Sequence, residues 1–222
     1  MRKLVVFFAV IMLVSCANRD NKSCDNAVLY GYVNICLPRI KGMTECRTHP
    51  IVQQITRQYQ ASGPVLGYYL NNEMYKQIYL YKPGETAIDE YFMIYGDYLR
   101  ENFRATESDL EIMEKNLAQT LFEGDNFKQI SSKVEEVYGT LTPGKPVLLE
   151  KYSPHPNVRT MIVLIKYQNE TGERNVVSAV DCILVKNRLI SLAYYVAYSG
   201  GKSIDTVKEK NNAVVKKLME IN

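Results

Sequence analysis

The chain has 222 residues, 46% of them apolar, and a formal net charge of +3 at neutral pH to which Arg2 and Lys3 contribute two. That length allows one domain, or two small ones, with a proper core, and it excludes a chain that is mostly disordered. Without its first residues the protein is close to neutral, so nucleic acid has no electrostatic basis as a partner, and no apolar run beyond residue 16 nears the roughly 20 residues of a membrane span.

Met1-Arg2-Lys3 places positive charge ahead of an unbroken apolar stretch from Leu4 to Val14. This is the layout of an export signal, too short to span a bilayer with ordinary flanks. The stretch ends in Leu13-Val14-Ser15-Cys16, which resembles the lipobox of bacterial lipoproteins: a branched apolar residue at −3, a small residue at −1, then the cysteine. The resemblance implies a signal peptide over residues 1–15, diacylglyceryl and palmitate-type acylation of Cys16, and membrane attachment through that residue in the cell envelope. Small residues beside the scissile bond fit a narrow protease site, and only a thiol forms the thioether. Each buried CH₂ contributes about 0.8 kcal/mol, so two or three chains hold where one is marginal. Ala17 after the lipid-bearing cysteine resembles the outer-membrane sorting class, periplasmic or surface-facing. Residues 16–26 read as the lipidated cysteine and a polar tether. Ala17 to Asn26 extend to on the order of 33 Å, enough to hold the domain clear of the lipid.

Residues 27–222 read as a single domain. Val28 to Leu37, ending at Pro38, has strand composition, and Thr48 is placed to cap a helix carrying Ile51, Val52, Ile55 and Tyr59 as far as Gly63-Pro64. Val65 to Leu70, Gln77 to Tyr81 and Ile88 to Tyr95 are short strand candidates around Pro83-Gly84. Ser108 with Glu111 has capping-box spacing ahead of the stripe Leu110, Met113, Leu117 and Leu121, and Gly124 stops it. A second helix over residues 125–139 would carry Phe127, Ile130, Val134 and Val137. Four strands follow, Val147 to Tyr152, Thr160 to Tyr167, Val176 to Val185 and Leu189 to Tyr198, with hairpin chemistry at residues 169–173 and at Asn187-Arg188. They predict a C-terminal four-stranded antiparallel meander. Its near-continuous apolar strands, Met161 to Ile165 and Val176 to Val180, require helices on both faces. After Gly200-Gly201, with Ser203 as cap, Ile204, Val207, Val214, Val215, Leu218 and Ile221 share one face of a closing helix.

The fold class expected is therefore α+β, an antiparallel sheet covered by helices on both faces. The order of elements and the strand ending at Leu37-Pro38 resemble the PsbP-like sandwich, a family that includes bacterial lipoproteins of this size. The resemblance carries no catalytic or ligand motif, and fold alone does not assign activity.

Cys24, Cys36, Cys46 and Cys182 remain after Cys16. In an exported chain they permit two disulfides among three connectivities, for instance Cys36 with Cys182 and Cys24 with Cys46, or else buried thiols. Cys36, Cys46 and His49 make a poor metal set without a close cysteine pair, so no metal and no cofactor is assigned. Cys182 with His155 or His49 and Asp181 supplies the residue types of a thiol hydrolase, although no strand-turn-helix elbow surrounds the cysteine and both histidines sit beside proline in turn or helix-start settings. Asp181, in an apolar strand, is expected to be shifted or ion-paired, with Lys166 or Arg188 as partners. Tyrosines at 68, 69, 79, 81, 91, 95, 98, 194 and 195 offer a contact platform or simply fill strands and core. Asn169-Glu170-Thr171 matches an N-glycosylation acceptor, which a bacterial chain discounts, and Asp205-Thr206-Val207 resembles an O-glycosylation site of some Bacteroidota exported proteins.

A strong anchor without a catalytic constellation makes the leading expectation a lipid-anchored, non-catalytic binding or assembly module for another envelope protein. The alternatives are the thiol hydrolase and a small-ligand carrier with an apolar pocket between helices and sheet.

Overall fold

A computed structural model describes residues 24–57, 63–81, 88–122, 142–169 and 172–222. The leader, Cys16, the first part of the tether and the helix expected over residues 125–139 lie outside them. So do Tyr59, Pro83-Gly84 and two residues of the Asn169-Glu170-Thr171 acceptor. None of the described helices is long and apolar enough to cross a membrane.

The chain opens with a small hairpin, β1 (Ala27–Tyr30) against β2 (Val33–Cys36), which forms a sheet of its own. The sequence predicts one strand here. Gly31, at φ 58°, folds it in two: a side chain at that position would stand 2.0 Å from the Glu101 carbonyl oxygen, so both the turn and the close approach require glycine. β3 (Met43–Glu45) and the helix α1 (Pro50–Thr56) follow. His49, not Thr48, is the N-cap of α1. Its Nδ1 accepts from the Ile51 N–H at 3.3 Å, with Pro50 at the first helical position.

β4 (Val65–Asn71) leads into the short helix α2 (Asn72–Lys76) and a 3₁₀ turn over Ile78–Leu80, where a strand was expected. Asn71 decides this by capping α2 through a 2.8 Å hydrogen bond from Met74 N–H. β5 (Glu90–Tyr95) precedes α3 (Glu107–Phe122). The cap of α3 is Thr106 with Asp109, two residues earlier than the Ser108–Glu111 box. The carboxylate accepts from both the backbone N–H and the hydroxyl of Thr106, at 2.8 and 2.6 Å.

The short β6 (Thr142–Pro143) and the meander complete the sheet: β7 (Val147–His155), β8 (Val158–Asn169), β9 (Gly172–Val185) and β10 (Arg188–Ala197). All pairings are antiparallel, in the order β3-β4-β5-β10-β9-β8-β6 with β7 beside β8. Lys186 and Asn187, at φ 48° and 58°, form the two-residue turn between β9 and β10. The last helix, α4 (Gly201–Ile221), starts from Gly200, while Ser203 lies in its first turn and accepts from the Ser199 N–H.

Because side chains alternate along β9, Val177, Ala179 and Ile183 face Val207, Val214, Val215 and Leu218 of α4, with Tyr30, Ile35 and Leu37 of the hairpin segment in the same cluster. Cys182 and Val180 face α3 through Leu110, Met113 and Leu117. α1 joins that second side beside Tyr68, Leu70 and Met93. The protein is thus a mixed α+β sandwich with helices on both faces of an antiparallel sheet, as the apolar strands require.

Candidate functional site

Asp181 projects from β9 toward α4, fully buried. Thr160 stands opposite it on β8, and Tyr152 stands opposite Thr160 on β7. The Thr160 hydroxyl donates to Asp181 Oδ1 at 2.5 Å, and Asn211 Nδ2 on α4 donates to the same oxygen at 3.1 Å. Tyr152 donates to Asn212 Oδ1 at 3.0 Å, and Lys208 lies over its ring at 5.3 Å while pairing with Glu150 at 2.7 Å. A polar seam therefore runs from the centre of the sheet–helix interface to the surface.

The ion pair expected for Asp181 does not form. Lys166 pairs with Glu173, and the Arg188 guanidinium donates to the Phe103 and Asn187 carbonyls. Burial without a cation pushes the Asp181 carboxyl up to about 7, against the pull of its two hydrogen bonds. Asp181 Oδ2 and Asn211 Oδ1 are both buried acceptors with no donor among the described residues. A carboxyl proton on Oδ2 adds the one donor the pair lacks, so the protonated acid suits this setting better than the carboxylate. Sequence reading missed Thr160, Tyr152 and Asn211. The last was detectable, because Asn211 falls four residues from both Val207 and Val215 on the apolar stripe of α4.

The cysteines sort differently from the pairs expected. Cys24 is joined to Cys36, their Cα atoms 5.5 Å apart, because the hairpin register sets Ala27 opposite Cys36 and brings the preceding residues alongside it. Cys36 cannot reach Cys182, which points to the α3 side of the sheet while Cys36 lies on the α4 side, where its backbone exchanges two 2.9 Å hydrogen bonds with the Asn222 side chain. Cys46 is buried under α1 and donates to the Tyr68 carbonyl. With Cys36 in a disulfide, Cys36, Cys46 and His49 form no metal set.

The hydrolase arrangement also fails to assemble. Cys182 is fully buried among Ala105, Leu110, Leu184 and Leu189, and burial raises its thiol to about 12, the opposite of an activated nucleophile. His49 caps α1, and His155 accepts from the Asn157 N–H in the turn between β7 and β8. Neither is placed beside Cys182.

The tyrosines divide between the two faces. Tyr68, Tyr91 and Tyr195 stack across β4, β5 and β10 with ring centroids 5.3 and 4.6 Å apart, on the α1 side. Tyr69 and Tyr194 are buried on the other face, where Tyr194 stacks on Phe92 at 3.8 Å. Most of the expected platform is therefore core. A depression of about 330 Å³ outside α3 is lined by Glu111, Glu114, Lys115, Ala118, Gln119 and Lys151. Its charged walls do not make the apolar interlayer cavity that a carrier needs.

No family model and no curated protein matches the chain. Among solved structures, the chain is similar to the Ran-binding protein Mog1p of Saccharomyces cerevisiae at 12% identity and a TM-score of 0.39, over 81% of this chain and 84% of that one. It is also similar to a point mutant of protein Mog1 at 13% identity and a TM-score of 0.40, over 87% and 92% of the two chains.

Proposed function

We propose that the protein is a lipid-anchored cell-envelope lipoprotein whose domain, a PsbP-like sandwich in its order of elements, is a non-catalytic binding or assembly module for another envelope protein. The observation that carries this reading is the run Leu13-Val14-Ser15-Cys16 directly after a basic, then apolar, leader. The Cys24–Cys36 disulfide supports it, since such bonds persist outside the reducing cytosol. The burial of Cys182 removes the thiol chemistry that was the main catalytic alternative.

The test is metabolic labelling with palmitate, followed by mass spectrometry of the N-terminal peptide. Label at Cys16 with loss of residues 1–15 is expected, and Cys16→Ser abolishes both. An intact Met1 without label overturns the reading. Crosslinking of the full chain in intact cells then captures one protein reproducibly; repeated capture of none removes the assembly role while leaving the anchor in place.

A further inference from the structure

Five large apolar side chains are left in solvent on two adjoining segments. Leu29 and Tyr32 of the β1–β2 hairpin are 68% and 82% exposed, Leu99 is 93% exposed, and Tyr98 and Phe103 are half exposed. The two segments that carry them are fastened together. The Tyr30 hydroxyl donates to the Asp97 carbonyl at 3.0 Å and accepts from the Asp97 N–H at 2.9 Å, and Gly31 packs against Glu101. The 97–103 loop is itself fixed. Leu99 N–H donates to Asp97 Oδ1, successive turns close from Arg100 N–H to Asp97 O and from Phe103 N–H to Arg100 O, and Arg188 holds the Phe103 carbonyl. Leu99 is thus displayed by an ordered loop.

We propose that this apolar surface, Leu29, Tyr32, Tyr98, Leu99 and Phe103, seats in the headgroup and upper acyl region of the bilayer that holds the Cys16 anchor. The proposal rests on the lipoprotein reading. The disulfide pins the chain to the domain at Cys24, so the free tether is residues 17–23, seven residues that reach at most about 25 Å. Leu29 stands five residues beyond Cys24, within about 17 Å of chain. The disulfide thus shortens the tether expected from sequence to residues 17–23 and sets its end at the base of the hairpin that carries Leu29 and Tyr32. A leash of this length keeps lipid at high effective concentration near the patch, so weak insertion suffices. The chemistry fits an interfacial contact: tyrosine, phenylalanine and leucine partition to the headgroup boundary, and Asp97, Arg100, Glu101 and Arg104 of the loop balance in charge. Seating is therefore apolar and insensitive to salt.

The chain has no tryptophan, so Leu99→Trp introduces a single fluorescent reporter at the proposed contact, and Ile112→Trp, at a half-exposed position on α3, serves as control. The full chain carrying each substitution is purified from its membrane and reconstituted into vesicles of phosphatidylethanolamine with a minority of phosphatidylglycerol, part of it brominated in the acyl chains. The expected result is quenching at position 99 at least about twofold stronger than at 112, unchanged by added salt. The mass of the N-terminal peptide from the same preparation reads the anchor separately. With the anchor present, equal quenching overturns the docking and leaves the lipoprotein reading standing. With the anchor absent, the same comparison in excess vesicles decides the surface alone, stronger quenching at 99 upholding it and equal quenching overturning it. A reporter at 99 that is shielded in a lipid-free dimer assigns the patch to a second copy. One left unquenched by vesicles but shielded by added envelope extract assigns it to a protein. Either outcome overturns the proposal.

Discussion

Asp181 sits in the sheet–α4 interface with a hydroxyl and an amide for partners, and its carboxyl titrates near 7 where a free aspartate titrates near 4. The folded protein therefore holds a proton that the unfolded chain releases, so stability is greatest below the unfolded value, falls as pH rises through the folded value and levels off above it. Asp181→Asn keeps an acceptor for Thr160 and Asn211 and adds an N–H donor for the unpaired Asn211 oxygen. Urea denaturation at pH 5 and pH 8 is expected to show wild-type stability falling by about 1–3 kcal/mol over that interval and the variant nearly constant. Equal slopes would show that Asp181 does not carry the effect. The two free thiols among the described residues make a second prediction at this scale. Burial lifts both Cys46 and Cys182 to about 12, so neither alkylates with iodoacetamide at pH 8 in the native state, and each gains one adduct by mass after denaturation.

The β1–β2 hairpin, as an element, is too short to stand alone and is held at both ends. At its base are the disulfide and the Asn222 side chain, which meets Cys36 as a strand neighbour would; at its tip Tyr30 meets Asp97. Replacing Cys24 and Cys36 together by serine opens a link across a sequence separation of 12 and is expected to lower stability by about 3 kcal/mol, read from chemical denaturation, with the far-ultraviolet signal of the native sheet retained. A loss below about 0.5 kcal/mol would mean that the remaining contacts define the hairpin without the bond. The caps show how local chemistry sets boundaries within a correctly anticipated element. Thr106 with Asp109 outcompetes Ser108 with Glu111 because the Thr106 N–H and hydroxyl both close onto the Asp109 carboxylate two residues earlier, and His49 displaces Thr48 because Pro50 fixes the first helical position.

Across the whole molecule, β8, β9 and β10 form the centre, paired on both sides and roofed by α3 and α4. β10 also recruits β5, about a hundred residues earlier in the chain, with Tyr195 opposite Tyr91, a pairing whose loop-closure cost makes it a late step in folding. Native-state hydrogen exchange should find the slowest amides in β8–β10, with opening free energies near the global value, and the fastest sheet amides in β3, which has one neighbour. If β3 and β9 exchanged alike, the sheet would be one cooperative unit rather than a core with looser margins.

Most of this architecture was legible in the chain. The apolar period of 3.6 in residues 110–121 and 204–221 and the near-continuous apolar runs of the meander dictate two helices clamping an antiparallel sheet, because each apolar face must be covered. The leader, the lipobox resemblance and the near-neutral charge are likewise properties of sequence alone. Tertiary structure decided what depends on distance between remote residues. Side-chain alternation put Cys36 and Cys182 on opposite faces of the sheet and made Cys24 the disulfide partner. The approach of α4 gave Asp181 amide and hydroxyl company in place of a cation. The turn at Gly31 folded one apparent strand into a hairpin that leaves Leu29 and Tyr32 exposed. Periodicity records which face a residue occupies, and only the packed chain fixes which residues meet across it.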